Sequence, residues 1–219
     1  MLKMDSHIHS EYSPDSKSKI DDILKTAQKE NIDIIAISDH NTVDGTSEVL
    51  RKTKNTDILA IPSIEISSTQ GHILGFGCEE NVPRDLSPED TIDRIHDLGG
   101  LAIVPHPYCF YRHGLLHNTD YKNLKIDAIE TKNARYIVGY CNRKAKKLSE
   151  KENLPALGAS DAHYWKFVGD CFSLIDCEKD IESVKKAILK GKVEAHGNGT
   201  SNILLSKYIF EKNVIKKFD

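Results

Sequence analysis

Short apolar runs recur along the chain, and most of them close on a polar or ionisable side chain. Leu2 to Ser6, Asp33 to Ser38, Ile58 to Ile64, His72 to Gly77, Leu101 to Pro105, Asp127 to Thr131, Pro155 to Ser160 and Phe172 to Ile175 read as strands, being the length of buried strands and too short for buried helices. Between them, apolar positions switch to a spacing of three and four, the sign of a helix with one buried face. Ser18 and Asp21 predict a capping box ahead of Ile20, Ile23, Leu24 and Ala27. Ser87-Pro88-Glu89-Asp90 predicts a second helix start with Pro at its first position, and Gly99-Gly100 its end. From Ala134 to about Asn153, Ile137, Val138, Cys141, Ala145 and Leu148 recur at helical spacing, and the lysines and arginine between them read as a solvated face. The tail from Ser201 to Asp219, with Ile203, Leu204, Leu205, Tyr208, Ile209, Phe210 and Ile215 among lysines, predicts a terminal helix packed on the rest. Strands alternating with helices place the chain in the α/β class, with βα units around a parallel sheet.

The strand ends carry the chemistry. In Met4-Asp5-Ser6-His7-Ile8-His9-Ser10, two imidazoles separated by one residue point to the same side of a strand end. The pattern returns in Gly158-Ala159-Ser160-Asp161-Ala162-His163. Between these lie Asp39-His40, Glu65, His72 and His106, each beside an apolar run. In parallel α/β folds the carboxyl ends of strands converge on one face, so residues more than 150 positions apart in sequence are expected to share one site. Imidazole mixed with carboxylate suits zinc, manganese or iron, whereas calcium and magnesium prefer oxygen alone. The candidates are too many for one ion. A cluster of two or three, with a carboxylate bridging a pair, binds a phosphoryl group and generates a hydroxide nucleophile at neutral pH.

Composition narrows the picture further. The 219 residues, 39% hydrophobic, suit a single domain. A net charge of -3, from 30 basic and 33 acidic residues, gives no global field for nucleic acid or an anionic membrane, so an anionic substrate must be held locally. The five cysteines show no Cys-x-x-Cys pairing, which argues against a thiolate zinc site or a disulfide framework and for a reducing cytoplasm. No apolar run reaches the roughly 18 residues of a membrane span, and no leader is evident. Ser160 lacks a Gly-x-Ser-x-Gly elbow, and no cysteine sits in a catalytic motif.

Together these residues resemble the PHP (polymerase and histidinol phosphatase) family of metal-dependent phosphoesterases. The matching motifs are Asp5-Ser6-His7-Ile8-His9-Ser10, Ser13-Pro14-Asp15, Ser38-Asp39-His40-Asn41, Glu65, Gly71-His72-Ile73-Leu74-Gly75, Pro105-His106-Pro107 and Ser160-Asp161-Ala162-His163. The resemblance implies a distorted seven-stranded, TIM-like β/α barrel over residues 1–219: ligand motifs in 1–163, a strand and helix region in 164–200, a terminal helix in 201–219. It also implies two to three divalent ions (Mn2+, Fe2+ or Zn2+). His7, His9, Glu65 and Asp161 would surround one, with Glu65 bridging to a second held by His72 and His106; Asp15, His40 and His163 would hold the third. Asp15 stands where some family members place a histidine, which makes that third position harder.

Arg135, after the strand-like Ile126 to Ile129, is similar to the family's strand-end arginine that meets the substrate phosphate. Its planar guanidinium can make a two-point contact that Lys132 cannot. Asp161 and His163 are expected near the proton transfers. Asp5 and Asp39 are read either as groups orienting imidazoles or as capping or turn residues. His96, His113, His117 and His196 are read as structural, and Tyr108 to His113 as either a stacking wall or a packed lid. The expected activity is hydrolysis of a small phosphorylated metabolite, a nucleotide or a short RNA or DNA end. The alternatives are histidinol phosphate as the substrate, or a metal-binding regulatory module without turnover.

Overall fold

Strands β1 (Leu2–Ile8), β2 (Ile34–Ile37), β3 (Leu59–Ser67), β4 (His72–Phe76), β5 (Leu101–Val104), β6 (Ala128–Asn133), β7 (Ala156–Ala159), β8 (Cys171–Ile175) and β9 (Val193–Gly197) form one sheet in the order β7-β6-β5-β4-β3-β2-β1-β8-β9. The computed structural model describes residues 1–117, 119–136 and 139–201. The sheet curls until its ends meet. The Gly158 amide of β7 donates to Ser173 Oγ of β8, that hydroxyl donates back to the Gly158 carbonyl, both at 3.0 Å, and Ile8 bridges Ala162. Only glycine fits this seam, because a Cβ at residue 158 would lie 2.3 Å from the Phe172 carbonyl oxygen. The result is a nearly closed α/β barrel.

The pairs β1–β2, β2–β3, β5–β6 and β6–β7 are parallel, as expected. In contrast, β4 runs antiparallel to both neighbours, and β8 and β9 extend the other side antiparallel. The parallel sheet read from the sequence is therefore corrected to a mixed one, with nine strands rather than seven among the described residues. The cause for β4 is local: residues 68–71 alone link it to β3, and a parallel crossover needs a dozen or so residues. Reversal puts His72, at the start of β4, on the same barrel end as the carboxyl termini of the parallel strands.

Helices α1 (Ile20–Lys29), α2 (Asp44–Thr53), α3 (Pro88–Asp97), α4 (Tyr140–Glu152) and α5 (Ile181–Leu189) pack around the sheet. On α1 the buried face is Ile20, Ile23, Thr26 and Ala27. Its predicted capping box is absent: the N-cap is Lys19, and the Ser18 hydroxyl is buried without a partner. The loop holds Ser18 instead, its carbonyl accepting from the Glu11 amide at 2.9 Å and its amide donating to Ser16 Oγ at 3.2 Å. The start of α3 follows the sequence reading, with Ser87 Oγ accepting from the Asp90 amide at 3.0 Å and Pro88 in the first turn. Gly99, at φ 73°, ends it. Helix α4 begins at Tyr140 rather than Ala134, since Thr131 to Asn133 still belong to β6. Ile137, Val138 and nearly all of the predicted terminal helix lie outside the described residues.

One apolar cluster fills the barrel at the amino-terminal ends of the parallel strands: Met4, Ile34, Ile61, Leu74, Phe76, Ile103, Ala128 and Leu157, closed by Val184, Ala187 and Ile188 of α5. At the opposite end the interior turns polar.

Candidate metal centre

That polar end is built by strands that run on past their apolar halves. β1 delivers His7 and, one step beyond, His9; β2 is followed by His40; β3 carries Glu65; β5 is followed by His106; and β7 by Asp161 and His163. His106 and Asp161 have φ of 28° and 52°, a left-handed backbone that costs non-glycine residues roughly 1–3 kcal/mol. The chain turns sharply at both so that the side chains face inward.

Glu65 is the hub. Its Oε1 lies 2.9 Å from His72 Nδ1 and 3.0 Å from His106 Nε2. Its Oε2 lies 3.1 Å from His40 Nδ1, 3.3 Å from His9 Nε2 and 3.4 Å from His7 Nε2, yet has no hydrogen bond that meets normal geometry. Asp161 Oδ1 lies 3.6 Å from His9 Nε2 and 3.4 Å from His163 Nδ1. Asp15 Oδ2 lies 2.8 Å from His163 Nε2 and 3.6 Å from His40 Nε2. All nine residues read from the sequence, His7, His9, Asp15, His40, Glu65, His72, His106, Asp161 and His163, enter sets whose ligand atoms lie within 4.8 Å of one another. The grouping differs from the implied partition: His9 stands with Asp15, His40 and His163, and His40 also stands with Glu65 and His72.

The fit to cations is visible in the lone pairs. His7 Nδ1 is 2.8 Å from Glu130 Oε1, and His9 Nδ1 is 3.0 Å from Ser13 Oγ. Each ring is thereby turned so that Nε2 faces inward, and the two Nε2 atoms are 3.0 Å apart. With the proton of each ring on Nδ1, the two Nε2 lone pairs face each other, an arrangement that a cation between them would relieve. Nitrogens held about 2.0–2.1 Å from one tetrahedral ion lie roughly 3.3 Å apart. Burial opposes charge on the Asp161 carboxyl, but Arg112, His7 and Arg135 outweigh it and hold its pKa well below the usual range. Burial likewise opposes the Glu65 charge, and His72, His7 and His40 hold it well below. Burial and the neighbouring His163 push the His9 pKa well down. Ionised carboxylates and a neutral imidazole are the states that ligate.

Residues 5–190 match the PHP domain family. The chain belongs to that family. It is 38% identical over 151 residues to the uncharacterized protein MJ1587 of Methanocaldococcus jannaschii, covering 64% of this chain and 87% of that one. Among solved structures, a two-domain protein from Bacteroides vulgatus containing a predicted PHP-like metal-dependent phosphoesterase superposes with TM-score 0.76 at 17% identity, over 90% of this chain and 65% of that one. Endonuclease Q, in complex with a 27-mer duplex substrate with an abasic lesion at its active site, superposes with TM-score 0.68 at 19% identity, over 89% of this chain and 57% of that one. This chain thus spans less than two thirds of either solved protein, and at such identities the likeness is one of fold.

Several members of this PHP site escaped the sequence reading. Glu130, buried in β6, accepts from the His106 amide at 2.8 Å and from Asn133 Nδ2 at 2.9 Å besides meeting His7. A carboxylate flanked by Ile129 and Thr131 in a buried strand was its signal, since such a charge is costly unless paired. Asn133 also donates to Asp161 Oδ2 at 2.9 Å. Arg112, the cation of the loop read as a stacking wall or lid, reaches in after β5 and pairs with Asp161 Oδ2, a partner the sequence did not indicate. Asp5 and Asp39 do not touch imidazoles, so of their two readings the turn role holds and the orienting role does not. Asp5 accepts from the backbone amides of Ser160 at 3.0 Å and Gly169 at 2.9 Å. Asp39 accepts from the Ser10 amide at 2.7 Å and its hydroxyl at 2.6 Å. Both staple the strand-end loops, and Glu130 and Ser13 do the orienting. His96 pairs with Asp127, His117 meets Phe110 edge-on and His196 stacks on Phe172, all away from the centre. His113, in contrast, lines the cleft above it.

This cleft, of about 440 Å3, is walled by Asp15, His40, His72, Tyr111, Arg112 and Arg135 among others. Arg135 Nη1 lies 2.7 Å from His163 Nδ1 and 3.4 Å from Asp161 Oδ1. Two guanidinium groups therefore flank one carboxylate at the cleft floor. Among the described residues no helix is long and apolar enough to cross a membrane.

Proposed function

We propose that this protein is a metal-dependent phosphoesterase acting on a phosphomonoester or phosphodiester of a small metabolite, a nucleotide or an oligonucleotide end. The observation that carries the reading is the buried Glu65 carboxylate, one oxygen between His72 and His106 and the other without a hydrogen bond beside His7, His9 and His40. A carboxylate so placed is suited to bridge two cations. His7, His9, Asp15, His40, Glu65, His72, His106, Asp161 and His163 would hold two or three divalent ions of manganese, iron(II) or zinc. When bound, such ions neutralise phosphoryl oxygens and make water acidic enough to supply a nucleophile near neutral pH.

The chain's own groups do the rest. Glu130 and Ser13 fix the ring orientation of His7 and His9. Arg135 binds the substrate phosphate through two parallel N–H groups and orients it for in-line attack. Asp161 and His163, beside Arg135, stand near the proton transfers of the reaction. The descriptions of the Bacteroides protein and of endonuclease Q support the reaction class. Five free thiols support a cytoplasmic setting.

The test is phosphate release from mononucleotides, nucleoside bisphosphates, short RNAs and histidinol phosphate, each with Mn2+, Fe2+ or Zn2+. Wild type is expected to release phosphate, and His7→Ala and Asp161→Ala to lose on the order of 10^3-fold in rate. Bound ions by elemental analysis without release from any substrate would favour a non-catalytic metal module and sink the proposal.

A further inference from the structure

Among the described residues, the exposed large apolar side chains are Met1, Tyr12, Phe110, Tyr111, Tyr140 and Leu189. The four aromatic ones all leave the same end of the barrel. Tyr12 follows β1, Phe110 and Tyr111 follow β5, and Tyr140 opens α4 after β6. These are the strand ends that also deliver His9, His106 and Asn133.

Phe110 and Tyr111 are 75% and 63% exposed, and Tyr111 lines the cleft itself. They share one 3-10 turn, Phe110–Arg112, with the arginine that pairs with Asp161 at the cleft floor. One short turn thus sets an aromatic ring and a guanidinium at fixed spacing, the ring at the rim and the cation against Asp161 at the cleft floor. The turn is anchored below by the Gly114 amide donating to the Cys109 carbonyl at 2.9 Å and by the Leu116 amide donating to the Pro107 carbonyl at 2.9 Å, so it is a built element. An exposed ring face beside a cationic phosphate site holds a base by stacking, and needs that base unpaired. A sugar phosphate offers no π face to stack on the ring, and a duplex buries the faces of its bases.

Resting on the phosphoesterase reading, we infer that the organic part of the substrate carries an unpaired nucleobase that stacks on Tyr111, with Phe110 extending the platform. The substrate is then a free nucleotide or a single-stranded end, and Tyr111 sets the specificity.

Calorimetric titration of the manganese-supplemented protein tests this with phosphonates of adenosine and of ribose, in which a methylene replaces the 5′ ester oxygen and blocks hydrolysis. The adenosine compound is expected to bind about tenfold more tightly than the ribose compound. That ratio should fall toward one in Tyr111→Ala and persist in Tyr111→Trp, which a merely structural role would not produce. Equal affinities in wild type, or a ratio untouched by Tyr111→Ala, overturn the inference. Phosphate release from the two parent esters, measured in parallel, keeps the two readings apart. Base-selective binding without turnover leaves the stacking site standing and removes the phosphoesterase. Turnover of both esters at one kcat/KM removes the stacking site alone. A single-stranded tetranucleotide with the same phosphonate end assigns the strand end if it binds more tightly than the mononucleotide, and the free nucleotide if more weakly.

Discussion

The two ends of the barrel are made from the same strands and obey opposite rules. In β1, Met4 sits in the apolar plug and His7 in the polar centre; in β3, Ile61 and Glu65 divide the same way, as do Ala128 and Glu130 in β6. At the plug end the clustered side chains are apolar and need only contact. At the other end buried charges crowd together, and Glu65 Oε2 and His106 Nδ1 lack hydrogen-bond partners. Burying polar atoms unpaired costs about 1–3 kcal/mol each, so the plug end stabilises a fold that the centre strains. The lesson is that strand length does double work: the first few residues hold the barrel shut, and the last few hold a reactive geometry the fold would otherwise reject.

The sharpest way to break the contrast is to empty the plug. Phe76→Ala, at a fully buried site, is expected to cost about 3–5 kcal/mol in denaturant unfolding of chelator-treated protein. Metal affinity of the fraction that remains folded should be unchanged, and a matching loss of metal affinity would show that the ends are not separable. Metal addition should strengthen the other end. At about 100 times its dissociation constant, an ion stabilises by roughly 2.7 kcal/mol, which for a chain of this size is a rise in Tm of about 5–10 °C. Differential scanning fluorimetry should show that rise, its reversal by chelator and its absence in Glu65→Gln. An equal rise in Glu65→Gln would remove Glu65 as the hub. A smaller effect is expected at Glu130→Gln, which keeps the shape but loses the charge facing His7 Nδ1. Metal affinity should fall about 10- to 100-fold, and less than twofold would reduce Glu130 to a structural group.

Much of this was legible along the chain. His7, His9, His40, His106, Asp161 and His163 announce themselves because an apolar run that ends on an ionisable residue is a local event, and parallel strands bring such ends together. The Ser87 cap and Gly99 are local as well. Ser18 misled because the same hydroxyl type can cap a helix or sit in a loop, and the Glu11 amide decided between them. β9 was missed because Glu194 and His196 break its apolar pattern. Asp5 and Asp39 were identified as supporting groups, but their partners, backbone amides rather than imidazoles, depend on loops that fold back from far along the chain.

By itself the sequence determined the α/β class, most of the strands and the identity of the residues at the polar end, because each depends on periodicity or on which residue closes a run. Tertiary structure alone decided that the sheet is mixed and closes at Gly158, that His9 and His40 each stand in more than one set of ligand atoms, and that Glu130 and Arg112 belong to the centre. Those outcomes turn on distances of about 3 Å between atoms separated by tens to more than a hundred residues, and on backbone turns such as that at Asp161. Spacing along a chain records which residues are available. Curvature and closure of the sheet decide which of them meet.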